Sequence, residues 1–574
     1  MAGTLLLISR NDRNKQLLDK INRLENYINS IFRKYFYKIH FHKFDNAYLV
    51  EFRKDDNLKF YEDKAGNWLT FEGNVFDLNE SKSYNAEELL LLYKDSGEDI
   101  ANRLDGHFII KIYDAQKDRY LIINDYIKSK TNFICEADDF IMFTPFLITT
   151  GIIKKPELDK FAFNEFMWRY YILSERTMLK NVQRLSPATI YTVKKGKLFK
   201  KTYWEWPHQY TKLYFNESVE KMVENMQETA RLINISFGKP CIDFTMGQDS
   251  RQIVSAFTNQ NLPFATATFG KQDFYEVEKV KEMTQRNNIE NHNIQLQENY
   301  YENIWKIFEK AIIIGSCEQP GYLLGRILYM RSQYRKYGKV SLNGMDGHFY
   351  KNGLWDELYS FNLYREPNRF NIDMFLKLRA LSKNYSEDIF RSDFLEIKNN
   401  SKQYFTEIVK VAIINYLDSP VSIQVDKFDL YHWLNFGIAG NSAVNFIFPS
   451  LSPLLFRRNL ELAIQIPVKW KFNLSKFQRA VVYRLDSLLA KENTDFGGVN
   501  MIPKNILTYI QFYFRYFYFQ STRFRNKIKN KLGMNVVTHL QKAWDYLPIY
   551  KLLFQDENFQ EYLIYKNMYL SEII

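Results

Sequence analysis

The sequence predicts two folded regions in series: a sheet-rich α+β domain in front, and an α/β domain with a parallel sheet and a helical end behind it. Three observations carry that reading. Short apolar runs alternate with turn signals through the first third of the chain. Beyond a polar linker the pattern changes to regular alternation of helix and strand. At 574 residues the chain also exceeds what a single hydrophobic core can organise.

In the front region AYLVEF, WLTFEG, HFIIKIYD, RYLIIND, FIMFTPF, ATIYTV and KLFKKTYW read as strands. Helical periodicity intervenes over 12–37, 86–104 and 159–172. Residues 207–214 read as a linker. After it come helix 217–237, strand 240–244, helix 250–258, strand 264–268 and helix 276–287. Strands separated by helices of this length pair in parallel, because each connection must cross over the sheet. From about residue 302 the pattern is mainly helical, with one strand at 339–342, and no repeat or low-complexity tract interrupts it.

Composition narrows the class. Hydrophobic residues make up 46% and charged residues 25%, ordinary values for a globular protein, while 17% aromatic content can fill large cores. Cys135, Cys241 and Cys317 lie far apart, which excludes a disulfide scaffold and a paired-cysteine zinc site and fits a reducing cytoplasm. The N-terminus has no basic region and no cleavage pattern, so it is not a signal peptide. The stretch 430–456 lacks Asp, Glu, Lys and Arg but holds His432, three asparagines and two prolines, so it reads as buried protein rather than a membrane span. These features predict a soluble, cytoplasmic protein, with oligomerisation left open.

The net charge of +12 is unevenly spread. Between Phe496 and Trp544 there is no acidic residue, and eight Lys and Arg residues fall there. The segment 505–532 is rich in Tyr and Phe and ends in Arg523, Arg525, Lys527, Lys529 and Lys531. It reads either as a core helix with a solvated basic end or as a dock for an anionic partner. No nucleic-acid-binding module accompanies the charge, so nucleic acid is not the expected partner.

The most informative segment is Cys241-Ile-Asp-Phe-Thr-Met-Gly-Gln-Asp-Ser250-Arg251. A buried strand ends at Phe244, a tight loop follows, and a helix begins near Ser250. Backbone N–H groups at such a junction lie beside a positive helix end and form an anion site. Gly247 allows backbone to approach a phosphate, and Asp249 can hold Mg²⁺ against phosphate oxygens. Taken alone, the segment is also what an ordinary capped helix gives.

It does not stand alone. Thr245, Met246, Gly247, Gln248, Asp249 and Ser250 resemble the pyrophosphate loop Ser-Gly-Gly-x-Asp-Ser of the asparagine-synthetase family. Met246 departs from the first glycine. Ala265-Thr-Ala-Thr-Phe-Gly270 resembles the family's second strand, so Phe244 and Thr268 are expected beside the nucleotide, and Glu276 falls in the acidic helix start. Glu318-Gln-Pro320 and Val340-Ser-Leu-Asn-Gly-Met-Asp-Gly-His348 resemble the second phosphate segment. Asn343 and Gly344 take its first places. The acidic pair that follows in the family is not reproduced: Asp346 is the nearby carboxylate and His348 stands close to the acidic place. Segments 447–452, 465–467 and 469–479 are similar to the stretch that leads to the family's catalytic lysine. The resemblance places that role on Lys476, with Arg479 one turn later and Lys469 and Lys471 as the next candidates.

The resemblance implies ATP and Mg²⁺ as cofactors. A carboxylate attacks the α-phosphorus, pyrophosphate leaves, and the acyl-adenylate meets an amine to give an amide. A lysine ammonium would stabilise the resulting oxyanion. Small-molecule or peptide carboxylates and amines are the expected substrates.

The front region resembles the class II glutamine amidotransferase domain over most of residues 1–205, which implies the four-layer sandwich of N-terminal-nucleophile hydrolases. Leu104-Asp-Gly-His-Phe-Ile-Ile-Lys-Ile-Tyr-Asp114, Asn124-Asp125, Thr144-Pro-Phe146, the stretch 176–187 and Tyr203-Trp204 carry the likeness. Its chemistry is expected to be lost. Ala2 stands where the family has its cysteine nucleophile. The Arg-His-Arg-Gly-Pro segment has no counterpart around 40–46, Glu72-Gly73-Asn74 replaces Asn-Gly-Glu, and Asp105 alone remains. The amine is then expected from the substrate or from free ammonia, as in the β-lactam synthetases and lasso-peptide cyclases of the family. Two other readings stay open: an impaired relative acting as a scaffold or partner subunit, and a glutamine-independent asparagine synthetase. The domains are expected at 1–205, 206–500 and 501–574.

Overall fold

The computed structural model describes residues 3–10, 15–54, 59–169, 172–316, 318–319, 321–351, 366–377, 392–432, 434–472, 474–495, 499–502, 510 and 514. Ala2, Cys317 and the basic segment 515–531 lie outside the described residues.

Twelve strands form two antiparallel six-stranded sheets. The first contains β1 (Gly3–Ser9), β2 (Lys38–Lys43), β3 (Ala47–Arg53), β8 (Phe133–Glu136), β9 (Phe140–Thr144) and β10 (Val182–Arg184), in the order β10-β8-β9-β1-β3-β2. The second contains β4 (Phe60–Glu62), β5 (Trp68–Asp77), β6 (Leu104–Asp114), β7 (Arg119–Asn124), β11 (Thr189–Lys194) and β12 (Lys197–Thr202), in the order β12-β11-β7-β6-β5-β4.

The period of two along a strand sorts side chains into layers. In β1, Leu6 and Ile8 meet Trp68, Ile109 and Ile122 between the sheets. Leu5 and Leu7 face the other way, onto Leu17, Ile21 and Leu24 of helix Lys15–Tyr27. In β6, Phe108, Ile110 and Ile112 pack on Leu89 and Leu90 of helix Ala86–Ser96. That helix starts on a capping box, with Glu88 N–H donating to Asn85 Oδ1 at 2.9 Å and Asn85 N–H donating to Glu88. Helix, sheet, sheet, helix is the four-layer sandwich that the sequence resemblance implies.

The third sheet is entirely parallel: β13 (Cys241–Asp243), β14 (Ala265–Phe269), β15 (Asn291–Ile294), β16 (Ser341–Leu342) and β17 (Ser450–Leu451), ordered β15-β14-β13-β16-β17. Helices Phe215–Phe237, Gln248–Asn259 and Lys476–Leu485 pack together in its core. Ser392–Ile413, Val421–His432 and Leu434–Asn445 build the helical part beyond.

The two regions share a buried seam. Arg457 N–H donates to Asp105 Oδ1 at 2.6 Å, Arg458 Nε to Asp105 Oδ2 at 2.8 Å, and Tyr126 O–H to the Leu455 carbonyl. Phe146 packs on Phe446 with ring centroids 4.8 Å apart. No described helix is long and apolar enough to cross a membrane.

Candidate functional site

Strand β13 ends at the centre of the parallel sheet, and its exit loop lies where open α/β sheets present ligands. Phe244 is fully buried and its N–H donates to Ala267 O at 2.9 Å. Thr268 Oγ1 donates to Phe244 O at 3.0 Å, so both residues join strands and neither lends a free group to the loop. Thr245 Oγ1 and Ser250 Oγ are 3.1 Å apart, Thr245 N–H donates to Ser250 Oγ at 3.2 Å, and Gly247 N–H donates to Thr245 Oγ1 at 3.0 Å. These bonds close the loop on itself.

Helix Gln248–Asn259 starts directly after Gly247, and no side chain caps its first N–H groups. The orphan donors of that turn and the positive helix end favour an anion. Gly247 has an ordinary extended backbone, φ −67°; an added Cβ would meet only Thr245 Oγ1, at 3.0 Å. Met246 turns its side chain into the core, where Ile253 and Phe257 also lie, and does not fill the loop mouth. Its carbonyl accepts from Arg251, a fully buried guanidinium that also donates to the carbonyls of Leu489, Glu492 and Asn493. Arg251 thus ties the loop to the segment after helix Lys476–Leu485.

The second segment closes against the first. Gly344 and Gly347 press on Asp249: an added Cβ at Gly344 would lie 2.9 Å from Asp249 Cβ, and one at Gly347 would lie 2.7 Å from it. Asn343 holds this turn by donating to Asn441 Oδ1 at 3.2 Å and accepting from Met345 N–H at 3.1 Å. Asp249, a quarter exposed, accepts from Lys351 Nζ at 2.8 Å and from Gln478 Nε2 at 2.9 Å.

Behind this corner lies a buried charged cluster. Asp346 adopts left-handed backbone, φ 58°, and its Oδ2 has no partner among the described residues. Burial, reinforced by the charges of Asp429 and Asp249 and opposed by His348, pushes the Asp346 carboxyl up to about 7. His348 Nδ1 stands 3.8 Å from Asp346 Oδ1, and its Nε2 pairs with Asp429. Burial disfavours a charge on His348, but Asp429, Asp346 and Asp426 outweigh it and raise its pKa. Lys471 Nζ pairs with Asp426 at 2.9 Å. Among the described residues no group of three or more His, Cys, Asp or Glu side chains is placed to hold a metal ion.

Of the residues expected at the site, Thr245, Gly247, Gln248, Asp249, Ser250, Gly344 and Asp346 come together. Lys476 and Arg479 do not join them. Lys476 is exposed at the start of its helix, with Nζ 4.5 Å from the Phe215 ring centre. Arg479 is buried and donates to Asn500 O and Ile502 O, each at 2.8 Å. The side chain of that helix that reaches Asp249 is Gln478. Lys351, Gln478 and Asp429 were not singled out by sequence reasoning. Gln478 lay inside the lysine segment, but Lys351 carries no motif signal.

In the front domain the nucleophile position lies outside the described residues. Thr4, two residues along the chain, belongs to a buried network. Glu72 Oε1 accepts from Thr4 N–H at 3.0 Å, Thr4 Oγ1 at 2.8 Å and the buried Lys111 Nζ at 3.0 Å. Asp105 is fully buried and committed to Arg457 and Arg458.

Residues 67–204 match the family described as glutamine amidotransferase domain. No curated protein matches the chain. A glutamine phosphoribosylpyrophosphate amidotransferase from B. subtilis, complexed with ADP and GMP, is 10% identical over 46% of this chain and 65% of its own, with a TM-score of 0.23. An NMN synthetase from Francisella tularensis is 14% identical over 40% of this chain and 96% of its own, with a TM-score of 0.21. A glutamine-dependent NAD⁺ synthetase from Acinetobacter baumannii, complexed with ADP, is 12% identical over 33% and 42%, with a TM-score of 0.18. The chain spans just under two thirds of the amidotransferase structure. The sheets and the family match carry the conclusion: an amidotransferase-type sandwich precedes a domain built on a five-stranded parallel sheet.

Proposed function

We propose that this protein is an ATP-dependent amide synthetase that forms AMP and pyrophosphate. It adenylates a substrate carboxylate and couples it to a substrate-borne amine or free ammonia, without a glutaminase of its own. One observation carries the reading: two glycine-containing loops from adjacent strands of the parallel sheet converge on Asp249, at the uncapped start of a helix.

Each residue has a task. The N–H groups after Gly247 and the hydroxyls of Thr245 and Ser250 face the phosphates, and Gln248 borders them. Asp249 and Asp346, the latter with its unpartnered buried oxygen, would hold Mg²⁺, which neutralises the triphosphate and assists departure of pyrophosphate. Lys351, already at Asp249, is assigned to the phosphates. The motif order assigns Lys476 to the oxyanion of amide formation, a role that requires it to leave Phe215. The commitment of Glu72 to Lys111 and of Asp105 to Arg457 and Arg458 supports a front domain with a structural role.

Exchange of radiolabelled pyrophosphate into ATP, measured across a panel of carboxylates that includes aspartate, tests this. Carboxylate-dependent exchange that disappears in Asp249→Ala is expected. Exchange that persists in that variant sinks the site assignment. The scaffold reading is favoured by the partners that Asp249 already has in Lys351 and Gln478, and it predicts no exchange with any acid. Activity confined to aspartate and ammonia would make the protein an asparagine synthetase.

A further inference from the structure

A cavity of about 400 Å³ lies in the seam between the two domains, away from the loop at Asp249. Its front-domain wall includes Lys128 and Trp204, and the wall of the second domain includes Trp206, Tyr416 and Lys427. Its size is that of a small-ligand site.

The aromatic wall is held in place. Tyr416 O–H donates to Trp206 O at 3.2 Å, the His208 ring stacks on Tyr416 at 4.3 Å, and Trp204 Nε1 donates to Glu461 at 2.5 Å. Trp206 differs from Trp204. It is 2% exposed, and its Nε1–H has no acceptor among the described residues. A buried donor left unsatisfied costs about 1–3 kcal/mol.

Lys128 supplies a cation to the front-domain wall. It is 6% exposed. Burial pushes its pKa down to about 8, with Arg184 adding to the effect and Glu175 and Glu318 opposing it from a distance. Its backbone is left-handed, φ 51°, an uncommon conformation for a residue with a side chain. On the facing wall Lys427 stands 3.8 Å from the Tyr416 ring centre, and Glu205 also lines the cavity. Two lysines against one carboxylate leave these walls with one net positive charge.

The unsatisfied Trp206 indole N–H and the net positive charge call for an anionic acceptor, and the indole and phenol faces call for a flat apolar body. We propose that this cavity binds a small planar carboxylate, whose oxygens accept from Trp206 and Lys128 and whose ring lies among Trp204, Trp206 and Tyr416. The site touches the catalytic corner indirectly. Phe349 packs on Trp206 at 6.2 Å and on His348 at 4.2 Å, so an occupant is one ring removed from the buried charged cluster. The inference does not depend on the amide-synthetase reading.

Calorimetric titration of the full chain without ATP tests it, with 2-naphthoate as probe and 2-naphthamide and 2-naphthylmethylammonium as its neutral and cationic counterparts. Saturable one-to-one binding of the carboxylate, at least tenfold tighter than either counterpart, is expected. Lys128→Met and Trp206→Phe should each weaken it at least fivefold, and Asp249→Ala should leave it unchanged. Absence of saturable binding, preference for the ammonium, indifference to both cavity variants, or loss in Asp249→Ala would overturn the proposal. The three probes on the parent protein decide the charge preference even where a variant fails to fold.

Discussion

Gly347→Ala perturbs the corner with one added methyl group. Gly347 is not at positive φ, so alanine fits its backbone and the whole effect comes from contact. The new Cβ would lie 2.7 Å from Asp249 Cβ and closer still to its carboxyl group, whereas carbon atoms rest at about 3.5–4.0 Å. Asp249 belongs to the first turn of a packed helix, so its side chain must give way by about 1 Å. Such a shift breaks its bonds to Lys351 at 2.8 Å and Gln478 at 2.9 Å. Hydrogen bonds to charged groups are worth about 1.5–3 kcal/mol each. The same shift carries the carboxylate away from where it would hold Mg²⁺, and a loss of roughly 2.7 kcal/mol there lowers Mg·ATP affinity about 100-fold. Asp249 is a quarter exposed, so the melting temperature should fall by only a few degrees. Calorimetric titration with Mg·ATP is the assay, and the double variant Gly347→Ala/Asp249→Ala is the control. Two changes acting through one carboxylate do not add, so the double variant should bind no worse than Asp249→Ala. Parent-like affinity in Gly347→Ala, or additive losses in the double variant, would refute the reasoning.

Three further predictions rest on other parts of the molecule. Lys476→Ala should bind ATP normally yet lower amide formation by about 10²-fold, the loss expected for one electrostatic stabiliser; a normal rate would pass the role to Lys351 or Lys471. Purified protein should release no glutamate from glutamine, with or without ATP, and steady release would contradict the structural role given to Glu72 and Asp105. Burial, helped by Lys59 and opposed by Glu72 and Asp125, pushes Lys130 down to about 7 from an ordinary 10.5. Between those values the unfolded chain binds the proton more tightly, so Lys130 lowers stability at pH 7 and this effect fades as pH rises towards 10.5. Lys130→Met should therefore melt a few degrees above the parent at pH 7, with the gap closing by about pH 10; a gap independent of pH would show that Lys130 does not titrate this way.

The sequence made the sheets legible where apolar alternation is strong, as in β3, β5, β6, β7, β9 and β11. Strands β15 (Asn291-His-Asn-Ile294) and β17 (Ser450–Leu451) were not, because one is polar and the other is two residues long. Both exist through pairing with β14 and β16, which is information from distant parts of the chain. The helical reading over 86–104 ran through Gly97, whose φ of 61° ends the helix after Ser96. At the site, the loop from Thr245 to Ser250 was legible because its residue types follow one another directly. The bond between Asp249 and Lys351 was not, because 102 positions separate the two. In helix Lys476–Leu485 the lysine and Gln478 lie two residues apart, about 200° around the axis, so the two cannot face Asp249 together. The structure turns Gln478 to it.

The loops at Thr245–Ser250 and Asn343–His348 are the centre of this account, and a structure of the full chain with Mg²⁺ and α,β-methylene-ATP tests them most directly. The triphosphate should lie against the N–H groups that open helix Gln248–Asn259, with the metal on Asp249 and Lys351 moved to the phosphates. Nucleotide bound elsewhere on the chain, with Asp249 still paired to Lys351 and Gln478, would contradict it.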